Sequence, residues 1–156
     1  MNNVIIIELE DESATGQWAA QMSGCVQPPC VIGLSGELGV GKTTLIRALL
    51  RALGITGAIK SPTYALVETY DCQNWQVHHF DLYRIAHEEE LAFIGFRDYV
   101  TDNAVCFIEW PSKTQTAMAV LDVLIDMTIK ENGRMMTISA KTERGEAFIH
   151  CLRGQR

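Results

Sequence analysis

An α/β domain is what this sequence predicts, and three adjoining stretches predict it. Cys30-Val31-Ile32-Gly33-Leu34 is a short apolar run that reads as a buried strand. Gly36 to Thr44, GELGVGKTT, fits the phosphate-binding pattern G-x-x-x-x-G-K-[ST], with Gly36, Gly41, Lys42 and Thr43 at the required spacing. Leu45 to Leu53 then repeats apolar residues at helical period, and Gly54 stands where the helix should stop. Strand, glycine-rich turn, helix is the order that phosphate chemistry needs.

Each residue type in the turn has a physical reason. Successive backbone N–H groups form an anion nest, and the helix N-terminus adds partial positive charge. The candidate phosphate contacts are therefore Gly36, Glu37, Leu38, Gly39, Val40, Gly41, Lys42, Thr43 and Thr44. Gly36, Gly39 and Gly41 keep Cβ atoms away from the phosphates. The Lys42 ammonium is placed to reach the β- and γ-phosphates, and the Thr43 hydroxyl to ligate Mg²⁺. An ordinary glycine turn before a helix is the bland alternative. The strand and helix on either side weigh against it.

Composition bounds the rest. The chain has 156 residues, enough for one domain, 1–156, with a real core. Its net charge of −6 makes it a poor holder of a nucleic-acid backbone by itself, though it can serve a nucleic-acid enzyme through a protein partner. No apolar run is long enough to span a membrane. The opening MNNVIIIELEDE lacks a basic region and turns acidic, unlike a signal peptide. Cys25, Cys30, Cys72, Cys106 and Cys151 are odd in number with no C-x-x-C pair, so reduced thiols in a cytoplasm are expected.

Taken in order, Asn3 to Leu9 reads as a strand whose unbroken Val4-Ile5-Ile6-Ile7 suggests burial. Asp11 to Gly24 reads as a helix with Ser13 as N-cap and Trp18, Ala19 and Met22 on one face. Pro28-Pro29 breaks the chain before the next strand. In the following helix Leu45, Leu49 and Leu53 form a stripe that Ile46 and Leu50 widen, with Arg47 and Arg51 on the wet face. Pro62 makes Ser61 extended. Residues 65–70 and Trp75 to Phe80 read as two strands joined by an Asp71–Asn74 hairpin loop. Glu88-Glu89-Glu90 opens a short helix as a solvated first turn. Ala104 to Ile108 is another apolar run. Near the C-terminus, alternating residues flank Asn132-Gly133, the strongest short hairpin signal, and Ala147 to Leu152 closes the chain in an element of open type.

Two carboxylates and a hydroxyl complete the candidate site. Glu109 follows Val105-Cys106-Phe107-Ile108 and can hold Mg²⁺ or polarise water; Asp81 follows Val77-His78-His79-Phe80 and is the second candidate. Ligands of open α/β sheets bind at strand carboxyl ends, where both acids stand. Thr63 is either a switch hydroxyl that meets Mg²⁺ or the γ-phosphate, or a turn residue after proline. His78 and His79 are adjacent on a strand and so face opposite ways, which argues against a shared metal site. Trp110 reads as a core anchor rather than a base-stacking platform.

GELGVGKTT, KSPTYALVE, HFDLYR, EEELAFIGFRDY and CFIEWP together resemble the bacterial TsaE (YjeE) family. The matching blocks run from Gly36 to Pro111, and HFDLYR followed by FIEW is far more specific than the phosphate loop alone. The resemblance implies an α/β P-loop NTPase with a mixed, partly antiparallel sheet flanked by helices. It implies ATP binding and hydrolysis in support of the TsaD–TsaB pair, which makes N6-threonylcarbamoyladenosine (t6A) at position 37 of tRNA. It also implies Thr43 and Glu109 at Mg²⁺, Asp81 near the reactive phosphate, Ser61-Pro62-Thr63 as a switch-like loop, and a base-side contact around Asp11 and Glu12. Glu37 and Val40 depart from the family's usual Asp and Ala.

A partner-dependent ATPase, weak alone, is the leading expectation, because no arginine stands out as a finger. A small-molecule kinase would need an acceptor pocket and an Arg-rich lid, and no basic lid segment is visible. A GTPase is disfavoured by the lack of N-K-x-D. The non-enzymatic alternative is a nucleotide-gated binding module with incidental hydrolysis.

Overall fold

The computed structural model describes residues 3–155. Its strands are β1 (Val4–Leu9), β2 (Cys30–Ser35), β3 (Val67–Cys72), β4 (Trp75–Asp81), β5 (Ala104–Glu109), β6 (Val123–Lys130) and β7 (Gly133–Ala140). They form one sheet in the order β1-β7-β6-β2-β5-β4-β3. The central β6, β2, β5 and β4 are parallel. β7 and β3 join antiparallel, and β1 pairs antiparallel with β7. The helices are α1 (Glu12–Ser23), α2 (Lys42–Ala52), α3 (Glu89–Phe93), α4 (Phe96–Tyr99), α5 (Gln115–Ala119) and α6 (Glu143–Gly154). The mixed, partly antiparallel sheet flanked by helices agrees with the expectation from sequence.

Strand alternation feeds two cores, one on each face. Cys30, Ile32 and Leu34 of β2, with Val105 and Phe107 of β5, pack with α1, α2 and α6. Val31, Cys106 and Ile108 face the other way, onto Leu91 of α3, Phe96 of α4 and Ala117 of α5. This is why β2 and β5 are apolar throughout: they are buried on both sides. Of the stripe expected on α2, Leu45, Ile46, Leu49 and Leu50 are fully buried, whereas Leu53 follows the helix as its C-cap and is half-buried. Each such side chain contributes about 1.5–3 kcal/mol on leaving water. Arg47 and Arg51 are exposed, as expected.

Several local expectations are corrected. Asp11, not Ser13, caps α1; its carboxylate accepts from the Ala14 N–H at 2.8 Å. β1 is an edge strand with one wet face, so the isoleucine run is not uniformly buried and Ile6 is 62 % exposed. The first hairpin turns on Gln73 and Asn74 alone, because Asp71 and Cys72 pair with Gln76 and Trp75. In the second, Gly133 already pairs with Lys130, so the loop is Glu131-Asn132. The closing element is a twelve-residue helix, α6, capped by Thr142. Glu88 is more than a solvated charge: its carboxylate accepts the Gln115 and Thr116 N–H groups and so caps α5.

The cysteine expectation is corrected too. Cys25, just after α1, and Cys151 on α6 form a disulfide with Cα atoms 5.8 Å apart. A sequence separation of 126 hides the approach, which exists because α1 and α6 cover the same face of the sheet. Cys30, Cys72 and Cys106 are buried free thiols, and burial pushes Cys30 and Cys106 up to about 12. Among the described residues no helix is long and apolar enough to cross a membrane.

Gly133 tests this packing. Its φ is +121°, and a Cβ there would run into the Leu9 carbonyl. Gly133→Ala is expected to destabilise the chain by at least about 2 kcal/mol, through strain and overpacking together. Urea unfolding measures it; an unchanged midpoint would contradict the close approach of β1 and β7.

Candidate nucleotide site

The parallel register assembles the site. Asp81 of β4 and Leu34 of β2 are both partners of Glu109 on β5, so three strand ends finish level. The chain leaving β2 turns at once through Gly36, whose φ is +138° and whose Cβ would lie 2.5 Å from the Met127 carbonyl oxygen. Only glycine fits between β6 and the loop. Gly41 (φ +114°) then starts α2 with no side-chain cap, so the first-turn N–H groups have no side-chain acceptor from the cap residue. Gly39 is also left-handed, with φ +79°. Val40 is buried and anchors the loop, whereas Leu38 is exposed.

Lys42 curls back into this loop. Its ammonium donates to the carbonyls of Gly36 at 2.6 Å and Glu37 at 3.0 Å. It also lies 4.3 Å from the centroid of the Trp110 ring. Trp110 packs against the second core, as the core-anchor reading expects, and its ring also meets the cation of the phosphate loop. Burial pushes the Lys42 pKa down, and Glu109, Asp81 and Glu37 oppose that shift.

Thr43 and Glu109 meet as expected. The Thr43 hydroxyl donates to Glu109 Oε1 at 2.8 Å. The other oxygen, Oε2, accepts from His79 Nε2 at 2.7 Å. Glu109 is only 3 % exposed and His79 is fully buried. Among the described residues His79 Nδ1 has no partner, so the ring's hydrogen bonding there is spent on Glu109. His79 was missed as a site residue, although a signal was there. It stands two before Asp81 on one strand, and so shares its face. His78 does point the other way, bonded through Nδ1 to Thr69 Oγ1 at 2.8 Å and edge-on to Tyr99.

Asp81 and Thr63 are also brought together. Asp81 Oδ2 accepts from the Thr63 hydroxyl at 3.4 Å, and Oδ1 accepts from the Tyr83 N–H at 3.0 Å. Ser61 and Thr63 hydroxyls are 2.7 Å apart, which ties the loop after Lys60 to itself. Burial raises the Asp81 pKa above its usual value, and the nearby Glu109 adds to it; the Tyr83 and Thr63 hydrogen bonds oppose the shift. Lys42, Thr43, Thr44, Thr63, Asp81, Glu109 and Trp110 line one cavity of about 370 Å³.

Glu12 stands apart from that chemistry. It lines a second cavity of about 200 Å³, on the far side of the loop, with Asp11, Thr15, Val40, Thr44 and Arg134. Asp11 is engaged in capping, as described above. Arg134 was not anticipated: its Nε donates to the Val40 carbonyl at 3.0 Å and ties β7 to the loop. Gly39, Gly41 and Thr44 border both cavities, so the loop is the wall between them.

The donor set fits a hard divalent cation. Among the described residues no cluster of three His, Cys, Asp or Glu side chains could hold a metal unaided. Thr43 and Glu109 supply hard oxygens instead, at a helix N-terminus open to phosphate, and Mg²⁺ is characteristically held by few protein oxygens plus phosphates.

A raised carboxylate pKa carries a stability consequence. The native chain binds the Asp81 proton more tightly than the unfolded chain does, so stability falls as pH rises through the window above 3.8. Asp81→Asn is expected to raise the thermal midpoint at pH 7, with the gain shrinking as pH falls to the carboxylate range. Calorimetry against pH checks this; a lowered midpoint at pH 7 would contradict a desolvated carboxylate.

A family model described as threonylcarbamoyl adenosine biosynthesis protein TsaE matches residues 9–138. The chain is similar to the tRNA threonylcarbamoyladenosine biosynthesis protein TsaE of Haemophilus influenzae, 42% identical over 119 residues, covering 76% of this chain and 75% of that one. It is similar to the TsaE of Aquifex aeolicus, 32% identical over 135 residues, covering 85% and 94%. Its fold is that of the crystal structure of YdiB from Bacillus subtilis, with a TM-score of 0.81, 22% identity, and 99% and 97% of the two chains covered. The sheet, the phosphate loop and these matches agree on a P-loop NTPase fold, and the chain belongs to the TsaE family.

Proposed function

We propose that this chain, acting as one domain over residues 1–156, is the ATP-binding and ATP-hydrolysing component of the machinery that makes t6A at position 37 of tRNA. Its partners in this reading are TsaD and TsaB. The observation that carries the ATPase reading is the Thr43–Glu109 contact of 2.8 Å beside the Lys42 loop. That pairing is what a nucleotide-bound Mg²⁺ would replace. The t6A assignment is supported by what the relatives are called. Net charge −6 fits a chain that reaches tRNA through partners.

The residues divide the work. Gly36 to Thr44 offer backbone N–H groups to the phosphates, and Lys42 exchanges its two carbonyl acceptors for phosphate oxygens. Thr43 and Glu109 would hold Mg²⁺, which when bound neutralises charge on the β- and γ-phosphate oxygens. Asp81 accepts a hydrogen bond from the attacking water and aims it at the γ-phosphorus. Thr63, bonded to Asp81, closes over the reacting group. Water oxygen bonds to phosphorus as the bond to the β–γ bridging oxygen breaks, leaving ADP and a phosphate that keeps one of the water's protons while the other passes to solvent. Glu12, which lines the second cavity, would contact the base in this reading.

ATP turnover measured with and without TsaD–TsaB, alongside t6A formation, tests the reading. Turnover should rise with the partners and t6A should depend on it. Nucleotide binding with no turnover in any mixture would overturn it in favour of a gated binding module. The two acids should separate. Asp81→Ala keeps Mg²⁺–ATP binding and loses about 100-fold in turnover, since phosphoryl transfer depends on positioning. Glu109→Ala weakens Mg²⁺-dependent binding by about tenfold or more. Normal hydrolysis by Asp81→Ala in the full complex would refute its role.

A further inference from the structure

We propose that Arg84 is a catalytic cation acting in cis on the transferring phosphoryl group, an inference that rests on the ATPase reading above. Arg84 stands in the turn after β4 and lines the same cavity as Lys42, Thr63, Asp81 and Glu109. Among the residues lining that cavity, Lys42 and Arg84 are the two cations. Lys42 is buried at the base of the loop, held by Gly36 and Glu37. Arg84 is exposed and borders the cavity from the turn between β4 and α3.

Arg84 makes no ion pair among the described residues, although Asp81 and Glu109 border the same cavity. Its contact is the Tyr64 ring, 4.6 Å from Cζ to centroid. Tyr64 directly follows Thr63 and is 83 % exposed. A cation–π contact at so wet a site is worth about 0.5–1 kcal/mol. A phosphoryl group offers far more: a planar fork can give two N–H groups to two equatorial oxygens at once. The stack also couples Arg84 to the Ser61–Thr63 loop, since moving Tyr64 moves the ring that holds the guanidinium.

Charge bookkeeping favours a second cation here. Asp81 and Glu109 add negative charge to a cavity that must receive a polyphosphate. As the bridging P–O bond breaks, charge spreads over the equatorial and leaving oxygens. Arg84 stabilises that charge by donating hydrogen bonds and exchanges no proton. Lys113 stacks on Tyr83 at 5.4 Å and does not line the cavity.

Mg²⁺–ADP binding by the full chain, with and without aluminium fluoride and with and without TsaD–TsaB, tests this. Aluminium fluoride should tighten wild-type binding about 100-fold by mimicking the transferring group, and Arg84→Ala should lose most of that gain. Its affinity for Mg²⁺–ADP alone should stay within about threefold, since Arg84 acts on the transition state. Arg84→Lys should recover only part of the gain, because a point charge lacks the fork. An intact gain in Arg84→Ala would overturn the inference, as would equal losses with and without fluoride. Wild type that binds Mg²⁺–ADP but never gains from fluoride would overturn the inference alone. Wild type that binds no nucleotide would overturn the ATPase reading itself. Arg84 is exposed, so thermal midpoints of both variants should match wild type.

Discussion

Glu109 carries its carboxylate to 3 % exposure, and the site is arranged around the cost of doing so. A buried ionised group without hydrogen bonds is strongly unfavourable. Two donors meet it: Thr43 on one oxygen and His79 on the other. Each donor is fixed by regular structure. Thr43 lies in the first turn of α2, and His79 sits on β4 two residues before Asp81. Hydrogen bonds to charged groups contribute about 1.5–3 kcal/mol each, so the pair of donors makes the burial tolerable. In the proposed ATPase, the bond from Thr43 is the one exchanged when a cation arrives. The other, from His79, keeps the carboxylate aimed.

Sheet order follows from the same need. β5 lies between β2 and β4, so Glu109 has the phosphate loop on one side and Asp81 on the other. The antiparallel additions, β7 with β1 and β3, widen the sheet without disturbing that junction. β7 also reaches in through Arg134 to hold the loop at Val40. The junction itself is costly: burial pushes the Lys42 pKa down and the Asp81 pKa up, so both charges are held against solvation. The apolar face of α2 offsets that cost. Strained or desolvated active sites supported by well-packed elements are a common stability–function compromise.

Much of this was legible in the sequence because it rests on local rules. The G-x-x-x-x-G-K-[ST] spacing, the apolar runs of β2 and β5, and the acids ending β4 and β5 each obey a short-range pattern. Thr43 and Glu109, 66 positions apart, could be paired in advance because ligands collect at parallel strand ends. What was hidden depends on approach across the fold. The Cys25–Cys151 bond needs α1 and α6 on one face, and the Arg134–Val40 bond needs β7 folded back on the loop. Trp110 could not be placed without its left-handed backbone, φ 60°, which turns the ring toward Lys42. Asn132-Gly133 was a correct hairpin signal with its loop set one residue late, since Gly133 pairs with Lys130.

The central claim is that His79 holds Glu109 as an organised cation ligand at the phosphate loop. Mn²⁺ electron paramagnetic resonance, with a non-hydrolysable ATP analogue on the chain, tests it most directly. Wild type should bind Mn²⁺ with the analogue, and His79→Gln, whose amide can still donate to Glu109, should retain a similar spectrum and affinity. His79→Leu should lose about tenfold or more in Mn²⁺ affinity, in the range found for partners that orient metal ligands. Metal-free analogue binding should be unchanged in all three. Equal Mn²⁺ affinity and spectra for wild type and His79→Leu would contradict the account.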